Sequence, residues 1–413
     1  MGWPGMDLPG ELSLRKENRS ECKWKQPSRI YPLATFEDAE KGSEGKILPM
    51  KRILFFSFTF LLIVTACNQQ YATPTLAPVP TLFVTDTPAP PTSTPLPELT
   101  PTSFPSMKLQ RGINMGDMLE APNEGDWGLT VQEEYFDLIK EAGFDFVRLP
   151  VNWKAHTTRT GQDDGDMGYT IEPDFFARVD EVVDWALKRN LSVIIDFHHY
   201  EDLMADPNLN QFWFLWKQIA EHYRDYPSQV LFELANEPHG QMTAALWNKY
   251  IIAGMEAVRE TNPTRDVIIG PVQWNAYDWV TTLDIPDDPH VIVTFHYYEP
   301  FSFTHQGAEW VEGSTLWLST SWGESEEHKR ILTQHFDLVA DWAQRHNVRI
   351  LLGEFGAYSK APQESRIRWT EFVRSEAERH GFAWAYWEFA SGFGVYDPEA
   401  KVWREELIKA LIP

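Results

Sequence analysis

The chain has 413 residues, with 36 Lys+Arg against 60 Asp+Glu and a formal net charge of −24. Such an acidic body repels phosphate backbones, which excludes nucleic acid as a partner and leaves neutral or cationic ligands. Its 2 cysteines, Cys22 and Cys67, lie ahead of everything else of interest, so the body beyond them has no disulfide, thiolate nucleophile or Cys-based metal site.

Residues 1–49 are polar and lack a sustained hydrophobic period. Met50, Lys51 and Arg52 then precede the apolar run Ile53 to Ala66, which ends at Cys67. That run is shorter than the roughly 20 residues of a membrane span, and with its basic start it reads as a secretory signal. Its ending, Val64-Thr-Ala-Cys67, resembles a bacterial lipoprotein signal, which implies lipidation of Cys67, a membrane tether and an extracytoplasmic, cell-surface location. Because such a signal starts near the true N-terminus, translation is expected to begin at Met50, with 1–49 a non-native or disordered extension. Residues 67–106 follow as a Pro/Thr-rich linker; an extended tract at about 3.1 Å per residue reaches roughly 120 Å.

Residues 107–413 carry a strand–helix rhythm. Apolar runs rich in β-branched residues predict eight strands: Gly112–Met115, Phe144–Leu149, Ser192–Phe197, Val230–Leu234, Val267–Gly270, Val291–Phe295, Ile350–Gly353 and Ala383–Trp387. Thr130 to Glu133 reads as a capping box for the first helix. Pro173 suits the first turn of the second, where Phe176, Val179, Val183 and Leu187 form a stripe. Phe212, Leu215, Trp216, Ile219 and Tyr223 line the third, and Gly381 sits where a helix ends. The fifth unit is weakest, with a short helix after Trp274. Eight β–α units predict an α/β fold, a single (β/α)8 TIM barrel preceded by the signal segment and linker. The open-sheet alternative would carry a phosphate-binding glycine signature, and no G-x-G-x-x-G or P-loop occurs.

In a barrel the C-terminal strand ends form the active site. Those ends supply Asn114, Asp117, Glu120, Arg148, His198, His199, Asn236, Glu237, Trp274, His296, Tyr298, Glu354, Trp387 and Glu388. A lone glutamate there is most often a salt-bridge partner. Two of them, on the fourth and seventh strands with tryptophans at two other strand ends, suit glycosidic bond cleavage, in which one carboxyl protonates the leaving oxygen and the other attacks or activates water. His198 and His199 would point to opposite faces of a strand, so a shared metal is not expected.

The ordered runs Arg111-Gly-Ile-Asn114, Glu120 to Gly128, Val147-Arg-Leu-Pro-Val151, His198-His-Tyr200, Asn236-Glu-Pro-His-Gly240, Thr294 to Tyr298, Pro300 to Trp310, Gly353 to Tyr358 and Trp384 to Phe389 resemble glycoside hydrolase family 5, nearest its subfamily 25 endoglucanase and mannanase branch. The resemblance implies a retaining endo-acting hydrolase of β-1,4-linked glucan, with Glu237 as acid/base and Glu354 as nucleophile. It implies that Asn236 binds the sugar 2-hydroxyl, that Arg148, His198, His296 and Tyr298 shape the site, and that His199, His305 and Trp387 contact substrate. Asp117, Glu120 and Trp274 complete the expected binding set. Asp117 departs from the branch's usual Asn, which either alters a subsite contact or pairs Asp117 with a nearby histidine. No cofactor or metal is expected; the partner is a β-linked polysaccharide or oligosaccharide and the state monomeric. Mannanase, xyloglucanase or β-glucosidase action remains open within the class. A non-catalytic carbohydrate-binding lipoprotein is the alternative outside it, and the presence of both glutamates argues against that.

Overall fold

Strands with alternating faces make a barrel wall when one face meets helices and the other a filled interior. A computed structural model of the chain describes residues 109–159 and 168–413. The expected extension, signal, linker and Cys67 lie outside the described residues.

Eight parallel strands close into a barrel in chain order: β1 (Arg111–Asn114), β2 (Phe146–Val151), β3 (Ser192–Phe197), β4 (Val230–Glu233), β5 (Val267–Ile269), β6 (Val291–Tyr297), β7 (Arg349–Phe355) and β8 (Ala383–Tyr386), which pairs back onto β1. The helices between them include α1 (Glu133–Ala142), α2 (Pro173–Lys188), α3 (Leu209–His222), α4 (Ala244–Arg259), α5 (Glu326–His346) and α6 (Gln363–Arg379). After β5 stand only Val272–Asn275 and the 3-10 turn Tyr277–Thr282, the weak fifth unit that the sequence shows. Small two-stranded hairpins, Thr157–Arg159 with Tyr169–Ile171 and Tyr396–Asp397 with Val402–Trp403, were not foreseen.

The interior explains where the site sits. Phe146, Ile194, Leu231, Ile268, Ile292 and Leu351 pack together on the inner face of the strands. Two residues further along the same face come Arg148 on β2, Asp196 on β3 and Glu233 on β4, all fully buried. The floor is thus apolar, and the next layer towards the C-terminal strand ends is charged.

Strict alternation would send Glu354 outward, because Leu351 faces in and Glu354 lies three positions, an odd step, further on. A register shift between β6 and β7 corrects this: Phe295 pairs with Leu352 but His296 pairs with Glu354, leaving Gly353 as the extra residue of a bulge. A Cβ on Gly353 would lie 2.4 Å from Thr294 Oγ1, so the bulge requires glycine here. Pairing therefore continues past the expected strand ends, and His296 and Glu354 lie within strands rather than after them.

One helix start differs from expectation. α1 begins at Glu133 with Gln132 as its cap, and no side chain caps it. Just ahead of that start, Glu124 accepts from the Val131 N–H at 2.7 Å and is held by Arg178. Pro173 does open α2, and Gly381 takes φ 69° behind α6.

Gly353→Ala should lose about 1–3 kcal/mol of stability through overpacking and most activity by tilting Glu354. Thr294 Oγ1 is buried without a hydrogen-bond partner, so adding Thr294→Ala should recover much of the stability. Thermal melts of the single and double variants measure this; equal melting points for the two would show that the Thr294 contact is not the obstacle.

Candidate active site

Arg148 is the centre of the charged layer. Its Nε and Nη2 donate to the two oxygens of Glu233 at 2.7 and 3.0 Å. Its Nη1 donates to Asn114 Oδ1 at 2.9 Å and to Glu354 Oε1 at 2.8 Å. Its Nη2 also meets Asn236 Oδ1 and Asp196 Oδ2, each at 2.9 Å. Burial opposes its charge, but Asp196, Glu233 and Glu354 together hold the guanidinium well above its ordinary pKa. Burial in turn pushes Asp196 and Glu233 up to about 7 against the pull of Arg148.

A ring of hydrogen bonds follows from this hub. Asn236 Oδ1 accepts from Arg148, so its Nδ2 donates to His198 Nε2 at 3.1 Å. The His198 proton then sits on Nδ1 and is donated to Asp196 Oδ2 at 2.5 Å. Burial, with His199 and Arg148 nearby, lowers the His198 pKa well below its usual value, which fits the neutral ring. Both nitrogens of His198 are thereby committed. The expected opposite-face argument for His198 and His199 does not apply: β3 ends at Phe197, His199 has φ 37°, and the two rings meet edge-on at 4.8 Å.

Glu354 lies against two donors, Arg148 Nη1 and the Tyr298 hydroxyl, the latter 2.8 Å from Oε2. That pattern serves a carboxylate anion. Burial raises its pKa and Glu237 adds to the rise, while His296, Arg148 and the Tyr298 hydroxyl oppose it; the net direction is upward. Arg148 thus offsets the burial of Glu354 rather than overriding it. Glu237 follows β4 in a left-handed backbone, φ 48°, and Tyr200 OH holds the preceding carbonyl of Asn236 at 2.5 Å. His296 joins the two glutamates: its Nδ1 is 2.9 Å from Glu237 Oε1 and 3.4 Å from Glu354 Oε2. One donor atom from each of Glu237, His296 and Glu354 falls within 4.8 Å of the others. Ligand atoms at about 2.0–2.1 Å from a zinc ion sit closer together than that, and the hydrogen bonds between these groups suit proton handling.

The other expected residues line the same mouth. Trp387 lies nearly parallel to His198 at 5.8 Å, and Trp274 stacks on His239 at 4.9 Å. His305 packs on Phe301 at 4.0 Å and edge-on to Tyr298 at 5.0 Å. Asp117 and Glu120 form a second corner with Glu388. Glu120 accepts the backbone N–H groups of Asp117 and Met118, Glu388 those of Ser391 and Phe393, and Asp117 accepts the Ser391 hydroxyl. Burial pushes Glu120 up to about 8, with Asp117 adding to the rise, and holds Glu388 well above the usual range for the same two reasons. Burial also raises Asp117, and the charge of the nearby His199 opposes the rise at both Asp117 and Glu120 without reversing it.

Asp196, Glu233 and Asn275 were not among the expected site residues. A lone acid two positions after a buried apolar residue in an otherwise apolar strand was the available signal for Asp196 and Glu233. Asn275, next to Trp274, carried none. Trp127 was part of a matching run but not of the expected set; it meets His199 edge-on at 5.4 Å.

Residues 105–392 match the family described as Cellulase (glycosyl hydrolase family 5). The chain belongs to glycosyl hydrolase family 5. Among similar proteins is Endoglucanase H of Acetivibrio thermocellus, 38% identical over 312 residues, covering 74% of this chain but only 33% of that larger protein. Endoglucanase C of the same organism is 27% identical over 74% of this chain and 98% of its own length. Cel5A of Thermotoga maritima, solved with mannotriose and with cellobiose, shares 48% identity with a TM-score of 0.71, covering 74% of this chain and 97% of its own. The family 5 assignment agrees with the barrel and with the two strand-end glutamates.

The crowded acidic corner gives a pH-dependent expectation. Glu120 binds its proton more tightly folded than unfolded, so its contribution to stability is full below the ordinary carboxyl range and is lost as pH rises towards 8. Asp117→Asn removes one cause of that rise. Its melting point should exceed that of the parent chain by roughly 2–4 °C more at pH 8 than at pH 5, about the effect of 1 kcal/mol in a large domain. An identical difference at both pH values would show that Asp117 does not load this corner.

Proposed function

We propose that the chain is a retaining endo-β-1,4-glucanase in which Glu354 is the nucleophile and Glu237 the acid/base. The supporting observation is the short distance between the two carboxyls, whose oxygens come within 4.8 Å. Retaining enzymes hold these groups about 5–5.5 Å apart, whereas inverting ones leave about 6.5–9.5 Å for a water. In the first step Glu354 attacks the anomeric carbon while Glu237 protonates the leaving oxygen. In the second, Glu237 takes a proton from water, which releases the sugar from Glu354. Arg148 and Tyr298 stay on the Glu354 carboxylate until its charge is spent in the new bond. Asn236, with its oxygen turned to Arg148 and its amide nitrogen to His198, keeps a second N–H for a sugar hydroxyl. Trp387 and Trp274 offer ring faces to pyranose C–H groups.

The Thermotoga maritima relative was solved with both cellobiose and mannotriose. That pair favours a second substrate, β-1,4-mannan, cleaved by the same two carboxyls. The sequence around Cys67 and its Pro/Thr tract support an extracytoplasmic location tethered by lipid.

The mechanism is checked by proton NMR of the first-formed product, which should have the β-anomeric configuration; an initial α-anomer contradicts it. Glu237→Gln should lose at least 100-fold on β-glucan but far less on a dinitrophenyl cellobioside, whose leaving group needs no proton. For the tether, Cys67→Ser should move the protein from the membrane to the soluble fraction with its activity on soluble glucan intact. Continued membrane retention would point to an uncleaved signal helix.

A further inference from the structure

The chain after β5 takes an unusual path. Gln273, Trp274 and Asn275 follow one another with φ of 60°, 60° and 54°. A left-handed tryptophan is uncommon, and asparagine is the residue type that accepts this conformation most readily. The turn presents Trp274 to His239 and sends the Asn275 side chain inward, where it is completely buried. There Asn275 Nδ2 lies 3.2 Å from His296 Nε2. Its Oδ1 faces Gly270, where a Cβ would come within 2.2 Å, and that oxygen is buried without a hydrogen-bond partner. The amide thus gives up a bond to its oxygen while its nitrogen meets the imidazole.

We propose that Asn275 is a positioning residue that fixes the tautomer of His296 and so decides which oxygen of Glu237 carries the catalytic proton. With Nδ2 donating to Nε2, the ring's single proton sits on Nδ1 and points at Glu237 Oε1. Oε1 then serves as an acceptor, and the proton that Glu237 gives to the leaving oxygen is kept on Oε2. Were the amide reversed, Nε2 would carry the proton. The bare Nδ1 would then compete with the leaving oxygen for the proton of Glu237.

The groups around the ring are Glu237 beyond β4, Glu354 on β7 and Asn275 beyond β5, with the neutral His198 ring beyond β3 near it and Arg148 on β2 reaching it through Glu354. Asn275→Asp keeps the size and tolerates the left-handed backbone, but places an acceptor against Nε2. It would draw a second proton onto the ring, and the resulting cation would sit beside both glutamates. Asn275→Gly also tolerates the backbone, and it removes the amide without adding charge.

The inference rests on Glu237 being the acid, so Glu237→Gln is measured alongside. The experiment records pH profiles of kcat/KM for the full chain on a soluble β-glucan and on dinitrophenyl cellobioside, with melting points to confirm folding. For Asn275→Asp the alkaline limb on β-glucan should move down by about one pH unit, with more than a tenfold loss at neutral pH and less than a threefold loss on the activated substrate. Asn275→Gly should lose activity on β-glucan selectively, with its alkaline limb unmoved. A limb for Asn275→Asp that superimposes on the parent's overturns the proposal, as does equal loss on both substrates in either folded variant. If Asn275→Asp does not fold, the substrate selectivity of Asn275→Gly decides. If Glu237→Gln itself loses equally on both substrates, the assignment of the acid has failed instead.

Discussion

A guanidinium at the heart of a barrel is the constraint from which the site follows. Removing a cation from water carries a penalty of several kcal/mol unless its partners replace the lost hydration. Arg148 meets that demand with Glu233, Asp196, Glu354, Asn114 and Asn236, drawn from β1, β2's neighbour β3, the β4 strand with the loop after it, and β7. Each partner is fixed because the others occupy the remaining N–H groups. Asn236 is oriented by Arg148, His198 by Asn236 and Asp196, and Glu354 is aimed by the same Nη1 that holds Asn114. A change in any of them is therefore felt at Glu354.

The pocket handles buried acids in two different ways. Around Arg148 the carboxylates are balanced by a permanent cation. Around Asp117, Glu120 and Glu388 they receive backbone N–H groups and a hydroxyl, and burial raises their proton affinity. The first solution sets a permanent cation against burial, which still pushes Asp196 and Glu233 up to about 7. In the second, burial and the charge of Asp117 push Glu120 up to about 8, which ties the protonation of that corner to stability.

Much of this was legible in the sequence. The eight apolar runs placed all eight barrel strands, and the polar residues at their ends converge on one mouth. Glu237 and Glu354 stood out because they were paired across the fourth and seventh strands. Asp196 and Glu233 were hidden because an acid inside an apolar strand reads as an interruption until its neighbours are known to share one face with Arg148. Alternation misplaces Glu354, since it takes the Gly353 bulge to turn that side chain inward. The Thr130 cap failed because the helix takes Gln132, two residues further on, as its cap, and the Thr130 hydroxyl accepts from the Gln132 side chain instead. Asn275 was invisible because its importance lies in a left-handed turn that no periodicity encodes.

The most direct measurement is covalent trapping. A 2-deoxy-2-fluoro cellobioside with a dinitrophenyl leaving group slows the second step of a retaining reaction more than it slows release of the leaving group. Peptide mass spectrometry of the inactivated protein should place the fluorosugar on Glu354. A label on Glu237, or burst-free turnover with no labelled peptide, would contradict the assignment of Glu354, beside Arg148, as the nucleophile.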